Sequence, residues 1–119
     1  MQALNSEQLA VRVEGNGVDF RTKQLGELTV SWVKLDKGVD LSGATVGLPE
    51  DLCPCPHWGY MIKGSVRMKT KETPRDFAAG EAFYWGPGHA PEALEDSEYV
   101  DFSPTKDLEE VIAHLTRER

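Results

Sequence analysis

Positive charge is scarce in this sequence: 13 Lys and Arg stand against 20 Asp and Glu in 119 residues, a net charge of -7. Binding to a phosphate backbone draws on clustered Lys and Arg that release counterions, so no nucleic-acid partner is expected. Long apolar runs are missing as well. None approaches the roughly 18 residues that span a bilayer, so no membrane partner is expected either. The start, Met-Gln-Ala-Leu-Asn-Ser-Glu, has neither the basic region nor the apolar stretch of a signal peptide, which makes the cytoplasm the expected compartment. A Ser-His-Asp spacing, a phosphate loop and a dinucleotide fingerprint are all lacking, and covalent acyl transfer and nucleotide-dependent chemistry lose their support with them.

Cysteine is nearly absent. The two present, Cys53 and Cys55, are separated only by Pro54, and a bridge between them would close a ring too small for ordinary disulfide geometry. Free thiols or thiolate ligands are expected instead, and a reducing cytosol permits both.

What chemistry the chain does carry is concentrated in two segments. Asp51-Leu-Cys-Pro-Cys-Pro-His57 gathers two thiols, an imidazole and a carboxylate just ahead of Trp58-Gly-Tyr-Met-Ile-Lys-Gly64. Gly80-Glu-Ala-Phe-Tyr-Trp-Gly-Pro-Gly-His-Ala-Pro91 runs an aromatic strand into a glycine-proline corner that presents His89. Each Cys-Pro pair holds its cysteine in extended geometry, because the proline ring clashes with the α conformation of the residue before it. A stiff segment suits a ligand cluster; it would equally stop an edge strand from pairing.

The length fits one domain over residues 1–119: an N-terminal arm and first strand over 1–27, a barrel over 28–104 and a helix over 105–119. Period-two patterning and Gly, Pro, Asp and Ser punctuation predict strands at 9–14, 28–35, twice within 60–70 around Gly64, and at 75–78, 82–85, 92–94 and 99–102. Short strands at that spacing indicate an all-β sandwich or barrel. Residues 36–56 form a long connection with three glycines, read either as a functional loop or as a mobile surface loop. Leu108, Val111, Ile112 and Leu115 fall at i, i+3, i+4 and i+7, so the C-terminal helix carries an apolar face that docks, with His114 beside it in a structural role. The aromatics Trp32, Trp58, Tyr60, Phe83, Tyr84, Trp85 and Phe102 are assigned to the core, with Tyr60 on the face opposite His57.

The two segments resemble, in order and separation, the two-part signature of the cupin superfamily. That resemblance implies a double-stranded β-helix, or jelly-roll barrel, holding a metal or small ligand inside. Aligned on Gly64, the general cupin ligand positions are taken by Asp51, Cys53 and His57, while Pro91 stands where the last histidine is usual and His89 lies two residues earlier. The runs Cys-x-x-Pro-His-x-Gly-Tyr and Pro-Gly-His are similar to those of a subgroup of small single-domain cupins, which implies a site built from Cys53, His57 and His89.

A thiolate and two neutral imidazoles suit Zn²⁺ first, and also Fe²⁺ or Cu. The expected site is therefore one divalent transition metal on Cys53, His57 and His89 at the mouth of the barrel. Cys55, Asp51 or Glu92 could close the coordination; Phe83, Trp85 and Tyr60 complete the set of pocket candidates, with Tyr60 also a weak acid-base nomination beside Glu92 and Asp51. Three function classes follow: a cupin that binds a metal and a small molecule, a metal-dependent enzyme such as an oxygenase, isomerase or hydrolytic enzyme, and a thiol sensor using Cys53 and Cys55. A homodimer is expected from apolar surface that a small barrel cannot cover by itself.

Overall fold

Alternating patterns become strands across most of the chain. A computed structural model describes residues 1–117, in which nine strands and one helix are arranged as β1 (Ala10–Gly15), β2 (Val18–Leu25), β3 (Leu28–Leu35), β4 (His57–Lys63), β5 (Ser65–Lys69), β6 (Arg75–Ala78), β7 (Ala82–Trp85), β8 (Ala90–Ala93), β9 (Ser97–Pro104) and α1 (Thr105–Thr116). The pairings are antiparallel, and they make a six-stranded sheet in the order β1-β2-β3-β9-β4-β7 and a three-stranded sheet β6-β5-β8. Val33, Leu35, Met61, Phe83, Trp85 and Tyr99 from the first sheet pack on Val66, Met68 and Ala93 from the second. This is the expected jelly-roll barrel with a C-terminal helix.

Several boundaries differ from expectation. Before Leu28 there are two strands, not one: β2 alternates Val18, Phe20 and Thr22 with Asp19, Arg21 and Lys23 and pairs along its whole length with β3. Those alternating charges hide it, because they lower its apolar content while its other face still turns inward. The strand expected at 99–102 runs from Ser97 to Pro104, since it pairs with β3 on one side and β4 on the other. The strand expected at 92–94 is β8, starting at Ala90. The helix ends at Thr116, and expected helical positions 118 and 119 lie outside the described residues.

The helix docks as its periodicity predicts. Leu108, Val111 and Ile112 are buried, with Leu115 at the edge, in a second cluster that also contains Cys53 and Cys55. Arg12 of β1 grips Glu109 of α1 through two hydrogen bonds of 2.8 and 2.7 Å.

The aromatic assignment needs correction. Phe83 and Trp85 are core residues, stacked with centroids 3.6 Å apart, and Trp32 is half-buried. Trp58, Tyr60, Tyr84 and Phe102 are instead 48, 47, 55 and 42 % exposed. Strand parity is the reason. On β4 the inward set is His57, Gly59 and Met61, so Trp58 and Tyr60 must face out. The register then places Trp58 beside Tyr84 and Phe102 on the same outer face.

The β4–β5 turn depends on Gly64, whose φ is +78° and where an added Cβ would stand 2.2 Å from the Asp96 carbonyl oxygen. Gly26 also has positive φ, +71°, but nothing lies within 4 Å of its Cβ position. Gly26→Ala should therefore cost only the left-handed strain, about 1 kcal/mol, and Gly64→Ala about 3 kcal/mol or more once the backbone is displaced. Urea denaturation of the two variants measures the difference; equal losses would show that the turn accommodates a side chain.

Candidate metal centre

Residues 36–56 bring Cys53 to the barrel interior because they are tied down along their length. Gly38 and Leu41 donate from their backbone N–H groups to the carbonyls of Ala93 and Pro91, 2.9 Å each, so the connection runs beside β8. Farther along, Cys53 forms an isolated antiparallel bridge with His89: Cys53 N–H donates to the His89 carbonyl at 2.8 Å, and Gly88 N–H donates to the Cys53 carbonyl at 2.8 Å. Gly88 has φ +92°, the left-handed geometry the corner requires. The connection is a pinned loop.

Cys53 and Cys55 are buried with exposed Pro54 between them, the alternation of an extended segment. Both are free thiols. His57 opens β4 opposite Trp85 of β7, and parity turns its ring inward.

One ligand atom each from Cys53, His57 and His89 lies within 4.8 Å of the others. Cys53 Sγ stands 3.9 Å from His57 Nε2, and the two imidazole centroids are 4.9 Å apart. Donors on a tetrahedral zinc, at bond lengths of about 2.0 and 2.3 Å, stand roughly 3.3–3.6 Å from one another. The trio needs only a small inward adjustment to meet that spacing, so the donor set fits such an ion.

Each histidine is oriented by its second nitrogen. His89 Nδ1–H donates to the Gly86 carbonyl at 2.6 Å, and His57 Nδ1 is 2.5 Å from Ser103 Oγ, whose hydroxyl donates to Asp101 Oδ1 at 3.2 Å. With Nδ1 engaged in both rings, Nε2 is left as the free lone pair, the arrangement that presents an imidazole to a metal.

Asp101 and Ser103 were missed in the sequence reading. Their signal was parity: both share the inward face of β9 with Tyr99 and Ser97. Gly59 makes the room, since a Cβ there would lie 2.7 Å from that of Asp101 and 2.3 Å from the Val100 carbonyl oxygen.

Burial sets the protonation states. The Asp101 carboxyl, 3 % exposed, is pushed up to about 7 from 3.8 by loss of solvent, partly offset by its hydroxyl neighbours. Burial lowers His57 and His89 to about 4 each, and raises the Cys53 and Cys55 thiols to about 11 and about 12. The imidazoles are therefore neutral near pH 7 and the thiols protonated.

The remaining site candidates divide. Trp85 lines the interior beside the trio and Phe83 stacks behind it. Cys55 is near, but its Sγ lies 4.0 Å from His57 Nδ1, the nitrogen already engaged, and its surroundings are the helix residues. Asp51 is exposed and accepts a hydrogen bond from Gly47 N–H. Glu92 pairs at 3.4 Å with Lys69, which also binds Asp40. Tyr60 faces outward. None of Asp51, Glu92 and Tyr60 joins the cluster, because each stands on a loop or strand face directed elsewhere. Cys53 and His89 are buried and His57 is half-buried, with Cys53 packed against α1.

No family model matches the chain, and no curated protein matches it. Solved structures do. An oxalate decarboxylase variant from Bacillus subtilis superposes with a TM-score of 0.66 at 20 % identity over 85 % of this chain. The fold is that of a cupin. This chain spans only 28 % of that decarboxylase, an enzyme with Mn(II) centres. KdgF from Halomonas sp. matches with a TM-score of 0.61 and 24 % identity over 84 % of this chain and 92 % of its own. An RmlC-like cupin from Shewanella frigidimarina matches with a TM-score of 0.61 and 16 % identity over 85 and 87 % of the two chains. Identities this low establish the shared cupin architecture.

The opposed shifts give a pH signature. Asp101 binds its proton more tightly folded than unfolded, so its contribution to stability is complete below about pH 4 and is lost as pH rises towards 7. His57 and His89 behave oppositely: their contribution is complete above about 6.5 and is lost as pH falls towards 4. In EDTA-treated protein, Asp101→Asn should remove the first effect alone. Urea denaturation should show the variant gaining stability relative to wild type between pH 5 and pH 8; a difference independent of pH would mean that Asp101 titrates normally.

Proposed function

We propose that this protein is a metal-binding cupin whose barrel holds one divalent transition metal on Cys53, His57 and His89, with a small molecule beside it. The observation that carries the reading is the convergence of three ligand atoms within 4.8 Å, both imidazoles presenting Nε2. Zinc suits this borderline-soft set before iron or copper. Three protein ligands would leave a coordination position for water or substrate, and the location of Asp51, Cys55 and Glu92 supports that open form. The packing of β1 to α1 around two adjoining clusters supports reading the chain as one cupin domain, and two free thiols suit a reducing, cytoplasmic setting.

A metal-dependent enzyme is the second reading, favoured by one specific feature. Asp101 lines the interior without being in the ligand trio and gains or loses its proton near neutral pH, as a general acid or base needs. The sensor reading fares worse: a thiol that is buried and held protonated is a poor nucleophile.

Elemental analysis tests the site. Cys53→Ala, His57→Ala and His89→Ala should each lower bound metal severalfold or more, while His114→Ala retains it, because His114 hydrogen-bonds the Val46 carbonyl and is not among the converging ligand atoms. In Asp101→Asn, which removes the neighbouring carboxyl that titrates near 7, zinc binding should also release one proton per ion between about pH 6 and pH 9. The Cys53 thiol must ionise whereas both imidazoles are already neutral, so apparent affinity should rise about tenfold per pH unit. Full metal content in all three variants, or no metal in the wild type, would remove the assignment.

A homodimer through the outer aromatic face is part of the same proposal. Four half-exposed aromatic rings at roughly 150–250 Å² each amount to about half of one side of a standard interface. Trp58→Glu should then convert a dimer to a monomer in sedimentation at micromolar concentration; a wild type that is already monomeric there would end this part of the reading.

A further inference from the structure

The barrel interior holds a chamber of about 260 Å³ that runs from Cys53, His57 and His89 to the inner face of α1. It is not sealed. Exposed Gly15 and Asn16 of the β1–β2 turn and half-buried Ala44 of the long connection also line it, so its far end meets solvent between that turn, the connection and α1. Between the trio and this opening much of the wall is hydrocarbon. Val18, Phe20, Leu41 and Leu115 are half-buried there, with buried Leu108 and Val111 beside Leu115 on α1. Leu108 and Leu115 are seven residues apart on one helix face, about 10 Å of wall at 1.5 Å per residue. The two apolar clusters of the fold meet at Phe20, which packs against both. Half-buried apolar side chains around a concave chamber are an unfinished burial, and an apolar body lying on them would remove their remaining surface from water.

Charge sits at one end of the chamber only. No Lys or Arg lines it, and among its lining residues Asp101 is the one carboxyl. A divalent ion on the trio would therefore be its sole source of positive charge, and the Cys53 thiolate cancels half of that charge. One positive charge remains. Asp101, which accepts a hydrogen bond from Ser103, contributes a negative charge or none and never a positive one. A head with one negative charge at the open coordination position brings the buried cluster to neutrality when Asp101 carries its proton. A second negative charge finds no partner in the chamber, and an unpaired buried charge is strongly disfavoured. A cationic head would meet a cation.

Carboxylate oxygen is an ordinary ligand of zinc, and the hydrocarbon wall asks for an apolar body behind it. We propose that the chamber binds a monocarboxylate with an apolar tail: the carboxylate takes the open coordination position of the metal on Cys53, His57 and His89, and the tail lies along Val18, Phe20, Leu41 and Leu115 towards the opening at Asn16 and Ala44. An apolar cavity of about 150 Å³ takes benzene, so this chamber has room for one ring, or a chain of about six carbons, together with the head. The inference rests on the trio holding a divalent metal. It deepens that reading by naming the head, its charge and the tail, and it excludes dicarboxylates and phosphate monoesters, whose second charge would be buried without a partner.

Four probes separate head from tail: hexanoate, acetate (same head, no tail), hexanamide (same tail, neutral head) and hexyl phosphate at pH 8 (same tail, dianionic head). Each would be titrated by calorimetry into the zinc-loaded and the EDTA-treated protein. Hexanoate should bind the zinc-loaded protein at least tenfold tighter than each of the other three; against acetate it buries four more CH₂ groups, at about fourfold each when burial is complete. EDTA treatment should weaken hexanoate at least tenfold and leave hexanamide unchanged. In cobalt-loaded protein the visible absorption should shift with hexanoate and not with hexanamide, which places the head on the metal. Ala44→Trp, or Leu115→Trp should the first not fold, would narrow the opening and should weaken hexanoate at least tenfold with metal content retained. With metal bound, hexanoate no tighter than acetate, hexanamide or hexyl phosphate equalling it, an unmoved cobalt spectrum, or full-strength binding by a folded narrowed variant would overturn the ligand class and leave the metal assignment standing. A wild type that takes up no metal would overturn both, and elemental analysis tells the two failures apart.

Discussion

Backbone hydrogen bonds between Cys53 and the Gly88–His89 corner hold this site together. They join a long connection to a corner between two strands, so that a thiol and an imidazole distant in sequence are fixed within one bridge of each other. Ordering such a connection costs conformational entropy that no apolar core of its own offsets. The ties at Gly38 and Leu41 spread the cost, since each shortens the free length that remains to be closed. Proline at positions 54 and 56 lowers it further by restricting the unfolded chain as well as the folded one.

On the opposite side of the trio, the polar run from His57 through Ser103 to Asp101 is also a product of strand pairing. β4 and β9 are neighbours in register, with Gly59 opposite Asp101, and the missing side chain at 59 lets the carboxyl lie beneath the imidazole. Such a run is expensive to bury. Neutral protonation limits the expense, since two uncharged imidazoles and two thiols carry no formal charge into the interior and Asp101, pushed up to about 7, is only partly ionised at neutral pH. A bound dication would draw the proton from the Cys53 sulfur and favour the ionised form of Asp101, while the imidazoles would keep the form they already have.

Much of the barrel was legible because most of its strands are bounded by turn residues and alternate cleanly. The strands at 28–35, 75–78 and 82–85 coincide with those observed, and the apolar spacing of Leu108, Val111 and Ile112 identified the buried helix face. The trio itself could be read from two short segments, since Cys-Pro pairs and a Gly-Pro-Gly corner constrain the backbone locally. β2 was hidden by its charges. Asp101 was hidden by being judged alone, when its place on the inward parity of β9 makes it unusual. The exposed aromatics went wrong for the complementary reason: hydrophobicity favours burial, but on a strand the pleat decides the face, and Trp58 and Tyr60 alternate with residues already committed to the interior.

The two cysteines show how finely that alternation divides labour. Residues i and i+2 of an extended segment point the same way, so Cys53 and Cys55 both enter the protein while Pro54 remains outside. Cys53 reaches the chamber and faces His57 Nε2, whereas Cys55 ends among Leu108, Val111 and Ile112 and meets the same ring from its Nδ1 side. Both cysteines thus share in the packing of α1, and only the Cys53 sulfur also belongs to the trio. Because only Pro54 separates them, the segment that carries Cys53 is packed against the helix at both cysteines. The C-terminal helix therefore packs against the thiol of the candidate metal site, although it adds no member to the trio.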